Sequence, residues 1–400
     1  MFPRLINPNG SSGLSKTYEH ISTPGLPPNL PRISPTPDPF PPDFSANSPF
    51  LFDRVGPIAY YQAGPELRRR AMMTKRERIQ AALAGQPVDR VPVGFWRHWP
   101  GDDQNPDSLA AVSLAYQRKY DLDFIKLPVS STYCVEDYGI AHAYRGSIVG
   151  DREYLSRVIN SPGDWAKIVP LDVRRGTYGW HLESLQKIAK EKDPATPLIV
   201  TMFHPIAMAA YLAGDELFLA HLREYPETIM SALHSLAETS AKFAAACIEA
   251  GADGIFLSAR FASFELLSRD EYDQFGRPSD LMVLDAASGG WFNVLHLHGQ
   301  HPMFKETAGY PVHAVNWHDR TSGIDLQTAA RLSSKAVMGG VEQMHLLQDG
   351  SPQAVADQAK EAIRSMNSRR LILTTGCTYP ISVPEVNLLA MRRAVEPGID

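Results

Sequence analysis

The stretch Asn293-Val294-Leu295-His296-Leu297-His298-Gly299 decides how this chain is read. It is a short apolar run that ends in two histidines and a glycine, the form of a buried strand stopping at a turn. Side chains alternate faces along a strand, so His296 and His298 point the same way. Two imidazoles on one face at a strand end can hold one metal ion. A second run, Leu371-Ile372-Leu373-Thr374-Thr375-Gly376-Cys377, has the same form and ends in a thiol. His296, His298 and Cys377 together offer two nitrogens and a sulfur and leave a fourth position open. That is the catalytic zinc arrangement rather than the closed structural one. If the two strand ends lie apart in space, the motif carries no chemistry.

Working outward, strands and helical patterns alternate along most of the chain. The expected strands are 91–95, 123–127, 197–203, 253–258, 292–297, 312–317, 335–338 and 371–375. Amphipathic helical patterns separate most of them, among them Ser108–Tyr120, Leu217–Ala250 (read as one helix or two), Asp325–Leu332 and Pro352–Ser365. Eight short apolar strands with helices between them predict an α/β fold of the (β/α)8 TIM-barrel type. An open doubly wound sheet is the alternative, but no G-x-G-x-x-G follows the first strand. The barrel opens at Thr74, an N-cap with Glu77 at the capping-box position and Gly85 as the stop. The segment Tyr138–Val173 is too long for a simple crossover, and its turn residues predict an insertion bearing a hairpin.

In this fold catalytic groups sit at the C-terminal strand ends. Those ends carry Arg97-His98, His204, Ser258 with Arg260, His296 and His298, His318-Asp319-Arg320, Glu342 and Cys377. For His204 the plain reading is a packed strand-end histidine. For His318-Asp319-Arg320 it is a loop cap and salt bridge.

Composition sets the outer bounds. The chain has 400 residues, 44% of them hydrophobic, and a net charge of −5, which argues against nucleic acid or an anionic membrane as partner. Its three cysteines, Cys134, Cys247 and Cys377, form no disulfide framework, so a reducing cytoplasm is expected. No apolar run approaches the ~20 residues of a membrane span, and the start lacks the order of a signal peptide. Residues 1–70 are dense in proline and read as a disordered or extended tail. The barrel is expected over 73–398.

The chain resembles the uroporphyrinogen decarboxylase superfamily. The resemblance runs from Lys75–Ala84 and Asp89-Arg90-Val91-Pro92-Val93, through Ile248–Ile255 and Gly339-Gly340, to Gly376-Cys377-Thr378-Tyr379-Pro380 and Val383-Pro384-Glu385-Val386-Asn387. It implies a (β/α)8 barrel with its cleft at the C-terminal strand ends, and a pairing of barrels into a homodimer. Two chemistries occur in the superfamily. Decarboxylases act on a tetrapyrrole without metal. Their opening arginine matches Arg97, their second arginine is replaced by Gly101, and their aspartate is replaced near Leu127-Pro128. Tyr211 and Ser258 match family positions, and the decarboxylase histidine falls on Cys377. Corrinoid-linked methyltransferases instead use a His-x-Cys-Gly…Cys zinc site, and here His296-Leu297-His298-Gly299 and Cys377 stand in those places.

Three readings follow. The first is zinc-assisted methyl transfer to or from a small-molecule substrate, with the corrinoid carried by a separate protein. His296, His298 and Cys377 would be ligands, Glu342 the fourth, Arg97 an anchor for an anionic group and His318 a proton-transfer group. A site with two histidines and one cysteine carries less negative charge than one with two cysteines. It fits activation of an alkoxide, phenoxide or water at least as well as a thiol. The second reading is decarboxylation of a tetrapyrrole, resting on Arg97, Tyr211 and Ser258. The third is a non-catalytic barrel that binds a corrinoid or tetrapyrrole.

Overall fold

The computed structural model describes residues 72–397, and the expectation for the tail lies outside them. Seven parallel strands follow one another around a curled sheet. They are β1 (Ile125–Leu127), β2 (Leu198–Phe203), β3 (Gly254–Ala259), β4 (Val294–Leu297), β5 (Ala314–Trp317), β6 (Ala336–Val341) and β7 (Leu371–Thr375). The expected strand over 91–95 closes the ring as a single bridge, Val93 to Leu373. On its β7 side Leu373 N–H donates to Pro92 O and Gly94 N–H to Leu373 O. On its β1 side Asp123 N–H donates to Val93 O. The architecture is therefore the expected (β/α)8 barrel, with a short first stave.

That stave is short for a chemical reason. Pro92 has no N–H to give a ladder, and the Val93 N–H goes to the buried Asp123 carboxylate at 2.8 Å. Asp123 also accepts from Arg78 and Arg90, each at 2.6 Å. Arg78 belongs to the opening helix, Lys75–Leu83, which starts with the expected Thr74–Glu77 capping box. Ile79 and Ala82 of that helix pack into the barrel interior with Phe124, Phe292, Val294 and Ile372.

The core has two layers, and strand alternation sorts residues between them. Val294 fills the barrel, whereas Leu295 and Leu297 join the larger layer between strands and helices. Both faces of β4 are buried, as a parallel strand requires. The long helical pattern is two helices, Asp215–Glu224 and Pro226–Glu249, because Pro226 starts the second. The insertion does hold a hairpin, His142–Ala143 against Glu153–Tyr154. β6 extends past its expected end through Gly339-Gly340. A Cβ on Gly339 would lie 2.7 Å from the Asp319 carboxylate, and Gly340 sits at φ +117°. Among the described residues no helix is long and apolar enough to cross a membrane.

Candidate metal centre

Three strands of the barrel deliver their ends to one point at the C-terminal mouth. β4 carries His296 inward and, one turn of the pleat later, His298. β5 carries Asn316 inward and His318 just past its end. His296 and Asn316 are in direct register on these neighbouring parallel strands. β7 runs out at Thr375, and Gly376 lets the chain pass closely over β5, where a Cβ would meet Trp317 O at 2.8 Å. Cys377 follows and faces the histidines.

One donor atom each from His296, His298, His318 and Cys377 all lie within 4.8 Å of one another. The Cys377 Sγ is 3.6 Å from His296 Nε2 and 3.8 Å from His298 Nδ1. Zinc bonds of about 2.0 Å to nitrogen and 2.3 Å to sulfur, at the tetrahedral angle, put N and S donors roughly 3.5 Å apart. The two spacings fit that edge.

The protonation pattern suits a cation. Asn316 Nδ2 donates to Met338 O at 2.9 Å and Thr375 O at 3.1 Å, which turns its Oδ1 toward His296. His296 Nδ1–H donates to that oxygen at 2.6 Å and leaves the Nε2 lone pair facing Cys377. Burial, and then the neighbouring imidazoles, push His296 well below the ordinary histidine range and His298 to about 4. Neutral imidazole is the form that binds metal. His318 is lowered by burial too, and its Nε2 is buried with no hydrogen-bond partner among the described residues. Burial pushes the Cys377 thiol up to about 11. An adjacent cation would reverse that shift and hold the thiolate. The residues present therefore fit a zinc ion.

The cluster opens into a cavity of about 410 Å³. Aromatic rings form much of its wall, including Trp96, Phe203, Tyr211 and Phe256, and Ser258 lines it as well. Phe256 stacks on His296 with ring centres 5.3 Å apart. Tyr211 and Ser258 thus reach the site, as does His98, whose Nδ1–H donates to Val129 O at 3.1 Å.

Other candidates fall elsewhere. Glu342, expected as the fourth ligand, accepts the backbone N–H groups of Met344, His345 and Leu346 and caps the short helix Leu346–Asp349. His318 stands in the cluster in its place. Arg97 is turned away from the cavity: its guanidinium lies 3.9 Å from the Trp99 ring centre and donates to Ile381 O. Strand alternation explains it, since Trp96 and His98 take the inward positions. His204 is the packed strand-end histidine, donating to Asp280 and accepting from Phe261 N–H. Asp319 does not touch the cluster. It accepts from Gly340 N–H and lies 3.3 Å from Arg320.

Two residues of the site were not singled out from the sequence. Lys126 is the centre of Ile125-Lys126-Leu127 and enters the cavity, and Asn316 is the polar residue of Ala314-Val315-Asn316-Trp317. In each case the visible trace was one polar residue at an inward position of an apolar strand.

Comparison with known proteins places the chain in a family. The profile of the uroporphyrinogen decarboxylase (URO-D) family matches residues 74–397, and the chain belongs to that family. Among its relatives is the methylcobamide:CoM methyltransferase MtbA of Methanosarcina acetivorans, 24% identical over 336 residues, or 80% of this chain and 96% of the relative. The methylcobamide:CoM methyltransferase MtaA of Methanosarcina barkeri is 29% identical over 220 residues, half of this chain and 63% of that protein. A uroporphyrinogen decarboxylase of Synechococcus is 28% identical over 215 residues, 51% of this chain and 60% of the relative. A solved methyltransferase from Methanosarcina mazei shares the fold, with a TM-score of 0.72 over 80% of this chain and 98% of that one at 24% identity. Within the family, then, this is a methyltransferase-like enzyme.

Proposed function

We propose that the chain is a zinc-dependent methyltransferase that exchanges a methyl group between a small-molecule substrate and a corrinoid carried on a separate protein. The observation that carries this reading is the set of four donor atoms gathered at the barrel mouth, with Cys377 Sγ at tetrahedral-edge distance from His296 and His298, opening into a small cavity. The names of the relatives MtbA and MtaA supply the methyl-transfer half.

His296, His298 and Cys377 would hold the metal and leave its fourth position open to a substrate heteroatom, with His318 beside that position. A zinc ion held there would supply Lewis-acid chemistry, lowering the pKa of a thiol, alcohol or phenol bound at the open position. The chain's own residues do the rest. Asn316 fixes the His296 tautomer. Phe256 covers one face of that imidazole and keeps water from it. Tyr211 and Ser258 offer hydroxyls along the wall. Two neutral imidazoles with one thiolate would leave the metal more electrophilic than a set with two thiolates, which fits an oxygen acceptor at least as well as a thiol.

The tetrapyrrole alternative is less well served. The cavity suits a small molecule, Arg97 is outside it, and Arg152 and Arg260 are already paired with Asp103 and Asp215.

The test is metal content of the purified protein together with consumption of free methylcobalamin in the presence of CoM or a phenol. About one zinc per chain and a zinc-dependent loss of the methyl–cobalt band would support the reading. Protein purified without chelators that holds no zinc would overturn it.

A further inference from the structure

The proposed chemistry leaves one charged group of the cavity without a task. Lys126 is the middle residue of β1, and its side chain projects inward. Its amine lies 4.9 Å from the Trp96 ring centre and 4.5 Å from that of Phe256. Among the described residues it meets no hydrogen-bond acceptor and no carboxylate.

The other cavity cations are different. Arg152 is paired with Asp103, and Arg260 is held by both oxygens of Asp215. His98 faces Asp151 at 3.3 Å. Lys126 alone of these lacks a counter-ion. Cation–π attraction to two rings offsets part of the cost of taking an ammonium out of water. A buried charge ordinarily has an ionic partner as well.

Its position gives the missing partner a direction. Phe256, which touches the amine, also stacks on His296. One ring therefore separates the lysine from His296, and Lys126 and Cys377 line the same cavity. A molecule reaching from the ligand set to Lys126 would be short, and the walls along that path are aromatic.

We infer that Lys126 is the counter-ion for a carboxylate-type anion on the substrate, whose flat body lies among Trp96, Phe203, Phe256 and Tyr211. The substrate class is thus a small aromatic acid that presents its anion to β1 and its reacting heteroatom to the histidines. This deepens the methyl-transfer reading and rests on it only for which end reacts.

The test is calorimetric titration of the full-length protein with benzoate and with its neutral isostere benzamide. It is run on zinc-loaded and on chelator-treated samples of wild type, Lys126→Met and Lys126→Arg, with zinc content measured alongside. Benzoate is expected to bind wild type at least ten-fold more tightly than benzamide. Lys126→Met should erase the preference while keeping one zinc per chain, and Lys126→Arg should retain part of it. Lys126→Gln substitutes should Lys126→Met fail to fold. Equal binding of the two probes to wild type overturns the inference, as does a preference that survives in Lys126→Met. So does a Lys126→Met protein that loses zinc affinity but keeps the benzoate preference, because the lysine would then serve the thiolate. A lysine-dependent preference in protein that binds no zinc leaves the anion site standing and sinks the metal reading. Zinc without the preference does the reverse.

Discussion

The Nδ1–H of His296 donates to Oδ1 of Asn316 at 2.6 Å, and this hydrogen bond decides which ring nitrogen faces Cys377. Partners of this kind orient a ligand and raise its basicity, and losing one typically weakens metal affinity about 10–100-fold. Asn316→Leu should therefore lower zinc affinity by about that factor, read by competition with a chromophoric chelator. Asn316→Asp, which keeps the acceptor, should stay nearer wild type. Equal affinity in Asn316→Leu would mean that the ring is held by other contacts.

The four donors and Glu342 separate cleanly by mutation. His298→Ala and Cys377→Ser should each abolish stoichiometric zinc. Glu342→Gln should keep it, because that carboxylate is occupied with three backbone N–H groups. Its cost should appear instead as lost stability of about 1 kcal/mol, the usual worth of a cap. Elemental analysis and thermal melts of the same samples check both halves.

Barrel closure depends on Asp123, which is buried and accepts from Arg78, Arg90 and the Val93 N–H. Removing one partner of a buried charge network costs about 3–5 kcal/mol. Asp123→Ala should destabilise the chain by that order, or prevent soluble expression, although it lies at the opposite end of the barrel from the metal ligands. Denaturant unfolding measures it.

His181 is buried against Tyr133 and stacked on Trp180, and among the described residues neither ring nitrogen has a hydrogen-bond partner. Burial pushes its pKa down to about 3. A histidine lowered in the folded state contributes stability above its unfolded pKa that is lost as pH falls toward the folded one. By pH 5 the loss should be about 1–2 kcal/mol. His181→Phe keeps the ring and removes the proton site, so its melting temperature should fall less than that of wild type between pH 7 and pH 5. Parallel falls would assign the acid lability to other groups.

Much of this protein is determined by local pattern. Short apolar runs at Val294–Leu297 and Leu371–Thr375, each stopped by a glycine, mark buried strands, and the spacing of His296 and His298 puts both imidazoles on one face whatever the rest of the chain does. The Thr74–Glu77 cap and the break at Pro226 are equally local, since each depends on groups within one turn of backbone. Tertiary structure alone decided what lies across the barrel. Glu342 and His318 both follow strands and read alike in sequence, yet one caps a helix and the other joins the cluster of donor atoms. Arg97 matched a motif but faces outward, because inward and outward differ by a single residue of register. Lys126 and Asn316 gained their roles only when β1, β4 and β5 were brought around the same cavity. A side chain's chemistry there is set by neighbours far away in sequence, and no local pattern encodes them.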